Sequence, residues 1–295
     1  MTGESLPLAV HDHGGDGPPL LLLHGAGRTL ADWAAVAPLL VPRHRVLAVD
    51  LRGHGLSPSG AWTFPGVLAD IEAVMEEYGI PAALPVGHSL GGMIAVQYAL
   101  AHPDVTPGAV DLDGYGWGHP GQYVGLERAE VEEGLGRVRE LAAAMTGRSL
   151  PACGLQEMLA RERETSRALG IPYELLETGL LRAVHEGPDG RPELRPMGAH
   201  ARDVLDAVDS LDLFALFRRM NRPLLLGRAL RAVPSRPGME WFDELMTAYA
   251  KGLARDLAEL AAERAQVTVV EIDGTHAMLL ENPRAVADAI LSFTS

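Results

Sequence analysis

The segment Gly87-His88-Ser89-Leu90-Gly91 places a serine between two glycines, a spacing that suits a nucleophile on a tight turn. An apolar run at residues 83–86 leads into the segment, and a helical pattern at residues 90–101 leads out of it. A strand that turns directly into a helix leaves little room, so glycine is favoured on both sides and the Ser89 hydroxyl is expected to project. The alternative is an ordinary strand-to-helix turn whose serine only caps the helix.

A serine hydroxyl is a poor nucleophile unless a base takes its proton, and His276 is the best candidate among the 11 histidines. It follows the apolar run 267–272 after three loop residues, which predicts a position at the same sheet edge as Ser89. A surface histidine without a catalytic role is the alternative. Leu90 follows the serine at the predicted start of a helix, so its backbone N–H is expected to stabilise negative charge on a substrate carbonyl.

Three other histidines lie close to these motifs, and we expect structural roles for them. His88 adjoins the serine but lies on the turn itself, and its side chain is expected to point away from Ser89. His24 and His54 are expected to be buried and to hydrogen-bond their loops. No histidine and carboxylate pair has the spacing of metal ligands on one element, so neither a metal nor another cofactor is expected.

Six short apolar runs, separated by helical patterns, predict the strands that must position these residues. The runs are continuous rather than alternating, as parallel strands covered on both faces require. We therefore predict an α/β fold with a doubly wound, mostly parallel sheet, whose ligand site lies beyond the carboxyl ends of the strands. The runs occupy residues 20–23, 46–49, 83–86, 109–112, 224–226 and 267–272.

The regular spacing breaks between residues 112 and 224, which predicts an inserted helical cap over residues 115–220 on a core of residues 1–114 and 221–295. Tyr115 and Trp117 begin this insertion, and they either line the substrate pocket or attach the cap to the core. Cys153 lies in the predicted cap and is interpreted as a packed thiol. Helical periodicity covers residues 126–145, 155–169, 172–184 and 201–220, with turns at GRSLPACG and EGPDGRPELRP.

Composition limits the partners and the compartment. A net charge of −14 repels nucleic acid and anionic membrane surfaces. A single cysteine excludes an internal disulfide, and neither a signal peptide nor a membrane-spanning run of about 20 apolar residues is recognisable. We therefore expect a cytoplasmic protein that acts on a small molecule.

Four motifs in this order resemble the α/β-hydrolase superfamily over nearly the whole chain outside the cap. They are LLLHGAGRTLADW, VLAVDLRGHGLS, the serine turn VGHSLGGM, and EIDGTHAMLLENP. The resemblance implies Ser89 as nucleophile, His276 as base and the amide of Ala26 as the second oxyanion donor. A glycine-rich turn without that role is the alternative for the segment at residues 24–27. The superfamily hosts many reactions, so the resemblance implies no particular substrate.

The acid that should orient His276 is missing from its usual place. In the family pattern it stands three residues past a glycine that corresponds to Gly227, and Leu230 occupies that position. A minority of relatives place the acid after the strand that follows the serine turn, which here ends at Asp113. We therefore predict Asp113 as the acid, with Asp111 as the nearest rival. The alternative for Asp113 is a structural carboxylate that caps the turn.

Together these features predict a serine hydrolase that cleaves an ester or a similar acyl compound through an acyl-enzyme intermediate. Two alternatives stay open from the sequence. One is a lyase or cyclase that uses the same pocket without hydrolysis, and the other is a noncatalytic protein that binds a small molecule.

Overall fold

The computed structural model describes residues 4–145, 154–187, 192–196, 198–232 and 238–295. Cys153 and most of the GRSLPACG segment lie outside these ranges, as do residues 188–191 of the second predicted turn. Within these ranges, no helix has both the length and the apolar composition that a membrane span requires.

Among the described residues, seven strands form the central sheet, and two short strands form a separate antiparallel hairpin within the insertion. The strands are β1 (Val10–Gly14), β2 (Leu20–Leu23), β3 (Val46–Val49), β4 (Leu84–His88), β5 (Ala109–Leu112), β6 (Val184–Glu186), β7 (Pro192–Leu194), β8 (Leu224–Ala229) and β9 (Val267–Ile272). The sheet order is β1-β3-β2-β4-β5-β8-β9, and only β1 runs antiparallel to its neighbour. The predicted α/β fold class with a mostly parallel sheet is therefore confirmed.

Helices cover both faces of this sheet and also occur in the insertion between β5 and β8. They are α1 (Ala37–Leu40), α2 (Phe64–Glu77), α3 (Leu90–Ala101), α4 (Arg128–Met145), α5 (Gly154–Leu169), α6 (Tyr173–Ala183), α7 (Gly198–Asp209), α8 (Leu213–Arg219), α9 (Glu240–Glu263), α10 (Met278–Glu281) and α11 (Pro283–Phe293). Short 3-10 helices add Leu30–Trp33 and Pro120–Gln122.

The core lies on both sides of the sheet, because successive residues of a strand point to opposite faces. Leu21 and Leu23 of β2 pack into one apolar cluster with α2, α3 and α9. Leu20 and Leu22 pack into the other, with α1 and α11. Every residue of β2 is buried, which explains why its apolar run is continuous.

One predicted helix is wrong. The structure divides residues 201–220 between α7 and α8, with a break at residues 210–212. Asp212 causes the break, since its side chain accepts a hydrogen bond from the Ala215 amide at 2.9 Å and caps the start of α8. The structure also adds β1, which does not form an apolar run because its sequence VHDHG is polar and partly exposed.

The insertion between β5 and β8 contacts the core at several points. The 3-10 helix Leu30–Trp33 packs against α6, while α4 packs on α9 and α8 packs on α3. Arg182 of α6 forms an ion pair with the buried Asp50 at 2.8 Å. Arg195 donates to the Ser57 carbonyl at 2.6 Å. The loop after β3 is thus tied to the insertion by two arginines.

The strand register brings the ends of the central strands to one edge. His88, the last residue of β4, pairs with Leu112, the last residue of β5, and Leu112 pairs with Gly227 of β8. The residues that follow β4 and β5 are Ser89 and Asp113, so these side chains start from neighbouring positions.

Candidate active site

Ser89 occupies a strained turn between β4 and α3, which we call the elbow. Its φ of 55° and ψ of −122° are unusual for a residue with a Cβ, and such a conformation costs about 1–3 kcal/mol. The flanking glycines are required by space: a Cβ at Gly87 would lie 2.0 Å from the Gly91 carbonyl, and one at Gly91 would lie 2.2 Å from the Leu23 carbonyl oxygen. The Ser89 amide continues the sheet by donating to the Leu112 carbonyl at 2.8 Å.

Asp113 is the second strained residue at this edge. In the described part of the chain, Ser89 and Asp113 are the only residues other than glycine with positive φ, and the φ of Asp113 is 57°. Its amide donates to the Gly227 carbonyl at 2.8 Å, and its Oδ1 accepts from the Ala229 amide at 3.0 Å. The backbone of β8 therefore fixes the carboxylate on both sides.

His276 is brought to Asp113 by the loop after β9. Its Nδ1 lies 2.7 Å from Asp113 Oδ2, and its side chain is 57% exposed whereas that of Asp113 is 15% exposed. A carboxylate accepts, so Nδ1 carries the proton and Nε2 of the neutral ring is free to act as a base. No hydrogen bond joins the Ser89 hydroxyl to His276 among the described residues, which is common in sites without a substrate.

The electrostatics of this pair favour a charged carboxylate. Burial alone would raise the pKa of Asp113, but the hydrogen bond from His276, the charge of that ring and the Ala229 amide together lower it below its usual value. Asp113 is therefore an anion at neutral pH and can stabilise an imidazolium.

Asp111, the rival acid, lies deeper under the elbow. It is fully buried, its Oδ1 accepts from the Gly114 amide at 2.9 Å, and a Cβ at Gly92 in the first turn of α3 would lie 1.9 Å from that oxygen. Its Oδ2 has no partner in the described part of the chain. Burial raises the pKa of Asp111 well above its usual value, and its hydrogen bond to the Gly114 amide supports the turn.

In the family pattern, the loop after β8 carries the acid. Here it contacts the loop after β9, which carries His276 and is called the histidine loop. Leu230 is exposed, and the Arg231 amide donates to the Gly274 carbonyl at 3.0 Å. The Arg231 guanidinium contacts Glu281 at 2.7 Å. Glu281 is 1% exposed and accepts from both the amide and the hydroxyl of Thr275, the residue before His276.

The glycine-rich loop after β2 lies against Ser89. A Cβ at Gly25 would be only 3.1 Å from the Ser89 Cβ. The Arg28 amide donates to the Gly25 carbonyl at 3.1 Å, which closes a turn across the exposed Ala26. Leu90 is the first residue of α3, so its N–H has no carbonyl one turn earlier in the helix. The amides of Ala26 and Leu90 thus belong to the two segments that border Ser89.

The buried histidines of the neighbouring loops hydrogen-bond as expected. His24 Nδ1 donates to the Gly25 carbonyl at 2.8 Å, and its Nε2 accepts from the Leu51 amide at 2.9 Å. His54 Nδ1 donates to the Arg52 carbonyl at 3.0 Å. Burial lowers the pKa of His24 to about 4 and that of His54 to about 3, so both rings are neutral and brace the loops.

Tyr115 and Trp117 occupy different environments. Tyr115 is buried, and its hydroxyl donates to the Gly227 carbonyl at 2.9 Å. That contact attaches the start of the insertion to β8. Trp117 is partly buried, and its ring lies 6.4 Å from that of Phe242 in an edge-to-face arrangement. Of the two, Trp117 is the one that is partly exposed.

His88 contributes a contact that the sequence did not indicate. Its ring is buried, and Nε2 lies 2.8 Å from the backbone oxygen of His276. No sequence pattern could have revealed this contact, because it depends on where the loop after β9 lies relative to β4.

Two cavities of the described structure lie away from this edge. Cavities of about 450 and 500 Å³ are lined by residues such as Pro19 and Arg222, and neither is lined by Ser89. Among the described residues, no group of three or more His, Cys, Asp or Glu side chains is arranged to hold a metal ion.

Comparison with curated proteins finds partial relatives with several activities. The chain is 41% identical over 107 residues to a fluoroacetate dehalogenase from Burkholderia sp., which is 34% of this chain and 35% of that protein. It is 40% identical over 93 residues to a pimeloyl-[acyl-carrier protein] methyl ester esterase of Aeromonas hydrophila, covering 30% and 35% of the two chains. These matches thus span about a third of each relative. A serine hydrolase-like protein of Danio rerio is 26% identical over 286 residues, 94% of this chain and 81% of that one.

Solved structures share the fold over nearly the whole chain. An E-2-(acetamidomethylene)succinate hydrolase superimposes with a TM-score of 0.70 at 22% identity, covering 97% of this chain and 94% of that one. An α/β hydrolase from Novosphingobium aromaticivorans gives 0.64 at 24% identity, with coverages of 98% and 93%. The sequence model described as "Alpha/beta hydrolase family" matches residues 20–289. The chain therefore belongs to the α/β-hydrolase family of enzymes.

Proposed function

We propose that the protein is a serine hydrolase that cleaves a carboxylic ester or a related acyl compound through an acyl-enzyme intermediate. The observation that carries the proposal is the 2.7 Å hydrogen bond between His276 Nδ1 and Asp113 Oδ2, at the edge where Ser89 lies on the strained elbow. A histidine oriented in this way presents an unprotonated Nε2, which is the state that a serine nucleophile requires.

In the proposed reaction, Ser89 Oγ attacks the acyl carbon while His276 Nε2 takes the hydroxyl proton. The amides of Leu90 and Ala26 stabilise the resulting oxyanion, and Asp113 stabilises the imidazolium. His276 then gives its proton to the leaving alcohol, thiol or amine, and the acyl-serine ester forms. Water attacks that ester with His276 as the base, which releases the carboxylic acid and restores the serine hydroxyl.

The identity of the nucleophile favours acyl transfer over displacement of a halide. If Ser89 displaced a halide from an alkyl carbon, the product would be a serine ether without a carbonyl that water could attack. An acyl-serine ester keeps that carbonyl, so turnover can finish with the groups present at the site. The similarity to a dehalogenase over about a third of the chain is therefore assigned to the shared fold.

The insertion is proposed to form a cap over residues 115–220. In this proposal, the cap determines which substrate is accepted. Its α6 packs against the 3-10 helix Leu30–Trp33, which follows the glycine-rich loop beside Ser89. Segments that cover strand ends typically shape the pocket without taking part in bond breaking. The proposed substrate is a small acyl compound.

A labelling experiment combined with a substrate panel tests the proposal. A fluorophosphonate probe should label Ser89, and the Ser89→Ala variant should lose both the label and any turnover of esters, thioesters or lactones. Ser292→Ala is the matched control, because Ser292 is exposed on α11. A wild-type protein that resists the probe and binds panel compounds without turnover would favour the noncatalytic alternative. Conversion without a hydrolysed product would favour a lyase or cyclase.

A further inference from the structure

The ring of His88 connects the nucleophile turn to the loop that carries His276. His88 ends β4 immediately before Ser89, and its Nε2 lies 2.8 Å from the backbone oxygen of His276. A carbonyl oxygen can only accept, so Nε2 must carry the proton and Nδ1 of the neutral ring is unprotonated. The tautomer of His88 is thus set by a contact that spans 188 positions in the sequence.

The rest of the ring offers no other reason for a polar residue here. His88 Nδ1 is buried without a hydrogen-bond partner in the described part of the chain, and a Cβ at Gly25 would lie 3.5 Å from it. A buried polar atom without a partner costs about 1–3 kcal/mol, so a residue that merely filled this space would serve better if it were apolar. The contact of Nε2 with His276 is the polar interaction that offsets this cost.

The two imidazoles also lie close together. Their ring centroids are 4.7 Å apart with an angle of 41° between the planes. Burial, followed by the charge of His276, lowers the pKa of His88 to about 3. His88 therefore remains neutral and does not oppose an imidazolium at His276.

We propose that His88 is a positioning residue, which fixes the backbone of His276 and thereby the place of its imidazole relative to Ser89. Asp113 orients the ring through Nδ1, whereas His88 holds the carbonyl of the same residue, so His276 is fixed at two points. This is needed because His276 is 57% exposed and lies in a loop. A displacement of about 1 Å in such a group can lower a rate about 10²-fold. The inference rests on the proposed hydrolase function.

Two variants whose side chains have equal length test the role of the His88 Nε2–H group as a hydrogen-bond donor. In His88→Gln the amide nitrogen is as many bonds from Cα as the histidine Nε2, and in His88→Met a methyl group takes that place. We expect His88→Met to lower kcat by about 10- to 100-fold with little change in KM. In His88→Gln, kcat should recover most of that loss. If only the volume of the side chain mattered, the two variants would have the same kcat. Equal kcat values in the two variants would overturn the proposal.

A second measurement does not depend on turnover. Hydrogen exchange of the amides at residues 274–278 should be faster in His88→Met than in wild type, and close to wild type in His88→Gln. Absence of turnover in the wild type would refute the proposed function, whereas equal exchange in the two variants would refute the positioning role. If His88→Met does not fold, His88→Asn replaces it, because its shorter amide cannot reach the His276 carbonyl.

Discussion

Replacing Asp113 by asparagine tests the proposed triad most directly, because the structure determines how the amide must turn. Asp113 Oδ1 accepts from the Ala229 amide and Oδ2 accepts from His276 Nδ1. In the variant, the carbonyl oxygen is needed opposite the Ala229 N–H, so the NH₂ group faces His276. Nδ1 must then accept, which moves the ring proton to Nε2 and leaves His276 unable to take the proton of Ser89.

The lost charge sets the expected size of the effect. Two unit charges about 4 Å apart interact by about 4 kcal/mol at an effective dielectric constant of 20. Screening of the half-exposed His276 reduces this to a range of about 2–4 kcal/mol, which is a factor of about 30 to 10³ in rate. The wrong tautomer adds to this loss, and we expect kcat to fall by up to about 10⁴-fold.

Steady-state kcat and KM on the best ester, together with the rate of fluorophosphonate labelling, measure this effect. Asp111→Asn is the matched control, since it makes the same change two positions earlier in a side chain that does not contact His276. Thermal unfolding must show that both variants fold. Turnover of Asp113→Asn within a few-fold of wild type would remove Asp113 from the triad and leave a Ser89 and His276 dyad or a different acid.

Four further predictions follow from the same contacts. Folding raises the pKa of Asp111, so the native protein keeps a proton that the unfolded chain loses above about pH 4. The stability of the protein therefore falls as pH rises toward the folded pKa of Asp111. Asp111→Asn should remove this fall when Tm is measured against pH. The free energy of unfolding of Ser89→Gly should be about 1 kcal/mol higher than that of Ser89→Ala, because only glycine relieves the strain of the positive φ. Equal stabilities of the two variants in urea would contradict strain at the elbow. Trp117→Ala should change the preference among acyl chain lengths more than the labelling of Ser89, and a uniform loss of all activities in a folded variant would speak against a pocket role. Glu281→Gln should lower Tm and reduce kcat several-fold, since it weakens the contact between the buried Glu281 side chain and the half-exposed Arg231 beside the histidine loop; unchanged values would show that this ion pair does not position the loop.

Most of the fold could be predicted because its strands are buried on both faces. The bounds of β2, β3, β5 and β9 agree with their apolar runs, since the turn residues at each end interrupt the pattern. Strand β1 was not predicted, because an edge strand with one partly exposed face does not need a continuous apolar run. The division of residues 201–220 depends on the Asp212 cap, which competes with a helical pattern that continues on both sides.

The candidate site could be predicted where its residues come at or shortly after the end of a strand. Ser89, His276 and Asp113 each come shortly after a strand of the sheet, so parallel topology alone places them at one edge. The roles of His88, Arg231 and Glu281 could not be predicted, because each depends on the path of a loop. The contact of Arg231 with Glu281 spans 50 positions, and no local pattern encodes it.

The position of the proposed acid, Asp113, has a structural consequence for the two strands involved. Strand β8, which bears the acid in the usual family pattern, here offers only backbone groups to it: the Gly227 carbonyl and the Ala229 amide bind Asp113. The side chain that β8 supplies through its loop is Arg231, which contacts Asp273 of the histidine loop and Glu281 of α10 rather than the histidine ring. Because aspartate tolerates the left-handed conformation better than most residues, the end of β5 can present a carboxylate at a φ of 57° that the β8 backbone then fixes. The end of β5 thus provides the carboxylate and β8 provides the backbone groups that fix it, so His276 has a carboxylate 2.7 Å away without an acid on β8.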